Sequence, residues 1–333
     1  MNARITFAAV GIASLLVAAA FAEKTQAGRT TQPTLAQAAA ASADEHAGHG
    51  AEPSAGQAAP MSMKNMPPDE DGAKQRLNTS PRHGEFVKVM ANGKPVTTWV
   101  VYPERQTKAP VVIVIQEIFG LSDWIRGVAD QLAADGFIAV APDLLSGHGP
   151  KEGGTEEFAN RDDMTKATLN LSQEEIMARL DAAREYGLKL PAANGKSATI
   201  GFCFGGSTSF AYAVHQPTLT AAVVYYGSAP SAPGAPQGSF VPAPSLANIK
   251  APVLAFYGGS DARIGATVPA TEAKMKELGK SYQPNTFEGA GHGFLRAQNG
   301  QDGANMKAAM QAWPKTIGFL RQHTDGNAAS KSR

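Results

Sequence analysis

Cys203, the single cysteine of the chain, stands where a catalytic nucleophile would be expected. Residues 201–205 read Gly-Phe-Cys-Phe-Gly. The first two of them end a short apolar run, residues 197–202, that predicts a buried strand, and Cys203 follows it directly. Between a strand and a helix this sequence forms a sharp turn, whose small flanking residues leave the nucleophile exposed above the sheet. The amino end of the helix predicted from Gly205 favours negative charge on the sulfur. The alternative is an inert buried thiol, and the position of the turn favours the nucleophile.

A thiol nucleophile needs a base, and chain order narrows the choice among seven histidines. In sites built on such a turn the nucleophile comes first, then the acid, then the histidine. Four of the histidines precede Cys203, and His215 lies in the helix directly behind it. The order therefore leaves His292 and His323 as candidates. His323 ends the last predicted helix among polar residues, whereas His292 stands in a glycine-rich loop, Gly-Ala-Gly-His-Gly-Phe, at residues 289–294. We therefore expect His292 to be the base.

The acid that orients the histidine is expected to be Asp261. It follows the apolar run 253–257 in a Gly-Gly-Ser-Asp turn, which carries the carboxyl group to the same edge of the sheet as His292. An aspartate before a predicted helix at residues 266–279 could instead be a helix cap, so that alternative stays open here.

The loop after the first buried strand supplies further candidates. Residues 116–121 read Gln-Glu-Ile-Phe-Gly-Leu, and the backbone amides of Ile118 and Phe204 are the predicted oxyanion hole. A carboxylate at Glu117, at the end of a buried strand, is costly without a partner. We expect Glu117 to contact the thiol or His292.

The elements that position these residues alternate between apolar runs and helical periods. Two β-rich runs, residues 86–90 and 95–102, flank Asn92-Gly93, a strong hairpin signal. Further strands are predicted at residues 109–115, 137–141, 197–202, 221–226, 253–257 and 282–288. Helices are predicted at residues 122–135, 156–171, 173–190, 205–215, 266–279 and 304–322. This order predicts an α/β fold, with a mostly parallel twisted sheet, helices on both faces and an N-terminal antiparallel hairpin.

The two ends of the chain differ from the middle in amino-acid composition and in periodicity. Residues 1–22 resemble an export signal, with Arg4, an apolar run at residues 5–20 and a cleavage site at Ala20-Phe21-Ala22; a retained membrane anchor is the alternative. Residues 23–81 lack any sustained period and predict a disordered tether, residues 82–325 a single catalytic domain, and residues 326–333 a disordered tail. We expect a periplasmic or secreted protein that has no membrane association after signal cleavage.

The tether contains soft metal ligands at His46, His49, Met61, Met63 and Met66. Such side chains can hold copper, but no fixed spacing recurs, which favours a plain linker. The domain shows no phosphate loop, haem motif or metal-ligand spacing, so we expect no cofactor and no metal.

Composition points to a small-molecule partner. The 30 basic and 29 acidic side chains leave no charge excess that would suggest nucleic acid or an anionic membrane, and 43% apolar residues suffice for a core. A monomer is expected.

Several of these segments resemble the dienelactone hydrolase family, over roughly residues 100–320. The resemblance is carried by residues 116–120, 141–144 (Ala-Pro-Asp-Leu), 201–206, 258–261 and 291–294. It implies an α/β-hydrolase fold and hydrolysis of a lactone or ester through an acyl-cysteine intermediate. It also implies that Glu117 keeps Cys203 neutral until substrate arrives, from which we hypothesise that Glu117 guards the thiol against oxidation.

The resemblance implies two substrate-binding arginines as well. Family members acting on dienelactone hold its carboxylate with an arginine pair; Arg296 matches one in local context, and Arg161 is a candidate for the other. The alternative for both is a surface arginine. Two Gly/Pro/Ser-rich stretches, residues 147–154 and 229–245, depart from compact members and are candidates to cover the pocket.

Two other functions compete with a lactone hydrolase. One is a broad-specificity exported carboxylesterase that acts on larger neutral esters. The other is a non-catalytic binding or metal-handling protein that uses its His/Met tether, although the three intact triad residues argue against it.

Overall fold

A computed structural model describes residues 65–236 and 239–325. The predicted signal, the tether up to residue 64 and the tail at residues 326–333 lie outside these residues and stay predictions. In the described residues an eight-stranded sheet runs in the order β1-β2-β4-β3-β5-β6-β7-β8. The strands are β1 Gly84–Ala91, β2 Lys94–Val101, β3 Ala109–Ile115, β4 Ile138–Pro142, β5 Ala193–Phe202, β6 Ala221–Tyr225, β7 Val253–Gly258 and β8 Tyr282–Phe287. The helices are α1 Ala73–Thr79, α2 Asp123–Ala134, α3 Arg161–Leu169, α4 Gln173–Lys189, α5 Phe204–His215, α6 Ala262–Gly265, α7 Val268–Glu277 and α8 Ala304–Thr324.

The sheet is antiparallel at one edge and parallel elsewhere. β1 and β2 form the predicted hairpin, and Asn92 (φ 48°) and Gly93 (φ 76°) take the positive φ values that a tight hairpin turn requires. β2 pairs antiparallel with β4, and the pairs from β4 through β8 are all parallel. The predicted mostly parallel sheet with an N-terminal antiparallel hairpin is confirmed.

Helices cover both faces of the sheet. All seven residues of β3 are buried. Val112 and Val114 belong to a core with Trp124 of α2 and Trp313 of α8. The alternate residues of β3 belong to a second core with side chains of α4 and α5. Because successive side chains of a strand point to opposite faces, the two cores lie on opposite sides of the sheet.

The predicted boundary of the tether at residue 81 is wrong for residues 65–81. This segment packs on the domain: Met66 is 5% exposed, Ala73 is fully buried, and Trp124 donates from Nε1 to the carbonyl oxygen of Pro68 at 3.0 Å. It was missed because α1 has seven residues, of which Ala73 alone is buried, and so has no apolar stripe to detect.

Asp130 of α2 ties this segment to the domain. Its carboxyl group binds Arg82 Nη2 at 2.6 Å and Arg76 Nε at 3.1 Å, and it also accepts from Ser80. Burial raises the pKa of Asp130, but the hydrogen bonds and charges of these partners outweigh burial and hold it below its usual range.

Two predicted helices have different bounds. The helix predicted at residues 156–171 begins only at Arg161, because the Asn160 side chain accepts from the Asp163 amide at 2.9 Å and caps it there. The helix predicted at residues 266–279 corresponds to α7, Val268–Glu277, and the separate short helix α6, Ala262–Gly265, precedes it. Within residues 65–236 and 239–325, none of the helices has the length and apolar character to cross a membrane.

Candidate active site

Cys203 occupies the turn between β5 and α5 in a strained conformation. Its φ of 55° and ψ of −115° lie in a region that side-chain-bearing residues rarely adopt. The turn requires glycine on both sides, because a Cβ at Gly201 would lie 1.9 Å from the Gly205 carbonyl oxygen, and one at Gly205 would lie 2.3 Å from the Ile115 carbonyl oxygen. The Cys203 amide is fixed by the Tyr225 carbonyl oxygen at 3.0 Å. This geometry holds the sulfur at the carboxyl edge of the sheet.

Asp261 and His292 form a hydrogen-bonded pair at the same edge. Nδ1 of His292 lies 2.5 Å from Oδ2 of Asp261, and the two side chains are 6% and 1% exposed. Oδ1 of Asp261 accepts from the Ile264 amide at 3.1 Å, so the same carboxyl group caps α6. Asp261 therefore caps a helix, the alternative left open by the sequence, and at the same time pairs with the predicted base. Burial raises the pKa of Asp261, but the hydrogen bond and charge of His292 outweigh it and keep it below its usual range.

His292 also contacts the sulfur. Burial lowers the pKa of His292, but the negative charge of a Cys203 thiolate and the hydrogen bonds with Asp261 and Cys203 outweigh burial and raise it to about 10. The structure thus brings Cys203, His292 and Asp261 into one hydrogen-bonded series, as their order along the chain predicted.

Glu117 pairs with Arg296 rather than with the thiol. It is 3% exposed, and its Oε2 lies 2.9 Å from Nε of Arg296. Burial raises the pKa of Glu117, and the nearby positive charges of Arg296 and His292 offset burial only in part. Its influence on His292 is therefore electrostatic, and in the described residues its polar partner is the arginine.

The two predicted substrate-binding arginines meet at a carboxylate that the sequence analysis missed. Arg161 Nη2 and Arg296 Nη1 donate to the two oxygens of Glu70, in the segment assigned to the tether. Both guanidinium groups also lie over the Phe119 ring, at 4.7 Å for Arg161 and 5.5 Å for Arg296. No local pattern could have identified Glu70, because its partner Arg296 is 226 residues away in sequence.

The two backbone amides of the predicted oxyanion hole lie in the loop after β3 and at the start of α5. Phe204 is the first residue of α5, and Ile118 follows β3, with its carbonyl oxygen accepting from Thr168 Oγ1 at 3.1 Å. As the first residue of α5, Phe204 has an amide without an acceptor inside the helix, and the Ile118 amide makes none of the loop and turn hydrogen bonds of the described residues. Both N–H groups are available to an anionic oxygen.

Tyr226 is a second residue of this edge that the sequence analysis did not single out. It directly follows β6, has φ of 40°, and its ring centroid lies 5.1 Å from that of His292. Its hydroxyl group is buried without a hydrogen-bond partner in the part of the chain that the structure describes. Burial and the negative charge of Glu117 raise its pKa well above the usual value, so the hydroxyl group stays a neutral donor. Its position directly after a buried strand is the feature of the sequence that could have identified Tyr226 as a residue of this edge.

The two stretches proposed as pocket covers are held by local contacts. In residues 147–154, Glu157 Oε2 accepts from the amides of Lys151 at 2.8 Å and Gly153 at 2.9 Å. Residues 237–238 of the second stretch lie outside the described residues, and within it Phe240 packs against the core formed with α4 and α5.

The predicted tether ligands divide between described and undescribed residues. Met66 fills the core, while His46, His49, Met61 and Met63 lie outside the described residues. Within residues 65–236 and 239–325, no group of three or more His, Cys, Asp or Glu side chains could hold a metal ion.

The fold and the site define a class of protein. A mostly parallel sheet with a nucleophile turn after β5, a carboxyl group after β7 and a histidine after β8 is the α/β-hydrolase arrangement.

The chain belongs to the dienelactone hydrolase family, whose model matches residues 96–324. It is similar to a predicted carboxymethylenebutenolidase of Yersinia pestis, 26% identical over 257 residues that cover 74% of this chain and 91% of that protein. Another predicted carboxymethylenebutenolidase, from Synechocystis, is 33% identical over 229 residues that cover 66% of this chain and 89% of that protein. The crystal structure of a predicted dienelactone hydrolase from Klebsiella pneumoniae has the same fold, with a TM-score of 0.62, 23% identity, and coverage of 72% of this chain and 99% of that one. The chain is thus a dienelactone hydrolase-like enzyme that acts on a lactone or ester.

Proposed function

We propose that this hydrolase cleaves its lactone or ester through a covalent acyl-cysteine intermediate on Cys203. The observation that carries the proposal is the contact of His292 with Cys203 on one side and with Asp261 at 2.5 Å on the other. A nucleophile, a base and an orienting acid in that order are what acyl transfer to a thiol requires.

In the first half-reaction, the Cys203 thiolate attacks the carbonyl carbon of the substrate. The negative charge that develops on the carbonyl oxygen is stabilised by the amides of Ile118 and Phe204. When the tetrahedral intermediate collapses, the carbon–oxygen bond breaks and His292 gives its proton to the leaving alkoxide. For a lactone, that alkoxide stays attached to the acyl chain.

In the second half-reaction, water hydrolyses the thioester. Neutral His292 takes a proton from the water, whose oxygen attacks the acyl carbon, and the same two amides stabilise the second oxyanion. The carbon–sulfur bond then breaks, and the thiolate and imidazolium are restored. Asp261 holds the ring orientation and stabilises its positive charge throughout.

Kinetics on a panel of lactones and activated esters tests this mechanism. For Cys203→Ala and His292→Ala we expect kcat/KM to fall by at least about 10³-fold. His323→Ala is the matched control, because His323 lies in the last turn of α8 with its ring against Phe319. Retention by Cys203→Ala of more than a tenth of the wild-type activity would contradict the acyl-cysteine pathway.

We also propose that the protein is exported. The composition of residues 1–22 supports this proposal, with cleavage after Ala22. The mature protein recovered from the periplasm or medium is then expected to begin at Glu23, which N-terminal sequencing measures. Recovery of the intact N-terminus in the cytoplasm would contradict export.

A further inference from the structure

The N-terminal segment, residues 65–80, brings a carboxylate of the protein itself to the arginine pair beside the catalytic site. The Glu70 carboxylate accepts one hydrogen bond from Arg161 and another from Arg296. Arg296 also pairs with Glu117 at 2.9 Å, so two carboxylates of the protein occupy its guanidinium group. A planar guanidinium pair of this kind suits a carboxylate ligand.

Glu70 is held in place by the backbone around it. Its amide donates to the Arg296 carbonyl oxygen at 3.0 Å, and Gln298 Nε2 donates to the Pro67 carbonyl oxygen at 3.0 Å. Met66 is buried, and a Cβ at Gly127 of α2 would lie 2.8 Å from Pro68 Cγ, so α2 leaves room for the segment at this position. The carboxylate is thus part of a packed structure, and displacing it would disturb several contacts.

The Glu70 carboxylate carries negative charge beside the two guanidinium groups. Burial raises the pKa of Glu70, but the charges of Arg296 and Arg161 and their hydrogen bonds outweigh burial and hold it below its usual range. Glu70 is therefore ionised at neutral pH and cancels positive charge that would otherwise attract an anionic substrate. A substrate carboxylate at this place must either displace Glu70 or lie beside a like charge.

We infer that Glu70 is a specificity-determining residue, whose carboxylate fills the anion site of Arg161 and Arg296 and directs the hydrolase toward neutral esters and lactones. This inference rests on the proposed function and names its substrate class. The relatives are named for carboxymethylenebutenolide, a lactone that bears a carboxylate, so the inference separates this chain from that substrate.

Two esters of matched length test the inference, 4-nitrophenyl valerate and the mono-4-nitrophenyl ester of glutarate, which differ in a terminal methyl or carboxylate group. We expect the wild-type protein to prefer the neutral ester in kcat/KM by at least about tenfold, or about 1.4 kcal/mol. In Glu70→Gln that preference should shrink by about tenfold or more, because the arginine pair becomes available to the substrate carboxylate.

Asp69→Asn is the matched control for this variant. Asp69 is the neighbouring carboxylate on the same segment, and it contacts the Gly72 amide and Asn299 rather than an arginine. Its substitution removes the same charge from the segment and should leave the ratio of anionic to neutral activity at the wild-type value. In Glu70→Gln/Arg161→Gln the gain on the anionic ester should be lost.

Calorimetric binding of glutarate to proteins that carry Cys203→Ala gives a readout that needs no turnover. Affinity should rise by about tenfold when Glu70→Gln is added, and this result would stand even if the acyl-cysteine mechanism failed. An unchanged ester ratio in folded Glu70→Gln overturns the inference. If that variant does not fold, as a thermal melt would reveal, wild-type kinetics decide: equal or better use of the anionic ester overturns it as well.

Discussion

The carboxyl group of Asp261 serves His292 and helix α6 at once. Oδ2 lies 2.5 Å from Nδ1 of His292, while Oδ1 accepts from the Ile264 amide at 3.1 Å. The cap fixes the rotation of the carboxyl group, and the carboxyl group in turn fixes the imidazole ring that contacts Cys203. A helix cap thereby orients the proposed base.

Asp261→Asn separates these two roles. Asparagine is as good a helix cap as aspartate, so the melting temperature should change by only a few degrees. Without the negative charge the pKa of His292 should fall, and kcat should decrease by about 10²–10⁴-fold. NMR titration of His292 and steady-state kinetics measure the two effects. A kcat within threefold of wild type would show that Asp261 serves only as a cap.

Glu117→Gln should change how stability depends on pH. The pKa of Glu117 is raised above its ordinary value of 4.5 by burial, so above that pH the folded state binds more protons than the unfolded state. This group therefore contributes stability below pH 4.5 that is lost as the pH rises through the folded pKa. Because glutamine does not titrate, the melting temperature of the variant relative to wild type should increase between pH 5 and pH 8.

Thermal melts across this pH range measure the difference. Glu288→Gln, at an exposed carboxylate, is the control for the loss of one carboxyl group. A constant difference in melting temperature between Glu117→Gln and wild type would mean that the pKa of Glu117 is the same in the folded and unfolded protein, and would contradict the prediction.

Peroxide inactivation tests the guarding role of Glu117. Oxidants attack the thiolate, so a carboxyl group that keeps Cys203 neutral in the resting enzyme would slow inactivation. The conformation seen here pairs Glu117 with Arg296, so guarding requires another arrangement of these side chains. We expect Glu117→Gln to be inactivated about threefold faster or more if it guards the thiol. An unchanged inactivation rate, with Glu288→Gln as reference, removes the hypothesis.

The packing of residues 65–80 on α2 predicts opposite effects for two helical glycines. A Cβ at Gly127 would lie 2.8 Å from Pro68 Cγ, so Gly127→Ala should destabilise the fold by about 1–3 kcal/mol. Gly318 of α8 has open space around its Cβ position, so Gly318→Ala should stabilise the fold by up to about 1 kcal/mol. Denaturant unfolding measures both. Equal effects would contradict close packing of the segment.

Chain order predicted that Cys203, Asp261 and His292 would lie together, because the fold makes the positions of such residues regular. In a parallel sheet the carboxyl ends of β5 and β7 lie at one edge, so residues directly after apolar runs meet there. Cys203 and Asp261 satisfy this rule, and the loop after β8 brings His292 to them. The apolar runs themselves were visible because strands covered on both faces have no polar alternation.

The contacts of Glu70 and Glu117 could not be predicted in the same way. Glu70 lies in a segment whose composition resembles a tether, and its arginine partners are supplied by α3 and the loop after β8. For Glu117 the sequence indicated a charge at the carboxyl edge of the sheet. That this charge pairs with Arg296, at 2.9 Å, and not with the thiol depends on how the side chains pack in the folded protein. Long-range polar contacts of this kind leave no period in the sequence.

Mass spectrometry of the intact protein during turnover tests the central claim most directly. After rapid acid quench with 4-nitrophenyl valerate, we predict a mass increase of one acyl group that peptide mapping places on Cys203, and that hydroxylamine removes as expected of a thioester. His292→Ala should accumulate it more slowly, and Cys203→Ala should carry none. Turnover with no acyl group on Cys203, or with an acyl group on another residue, would contradict the account.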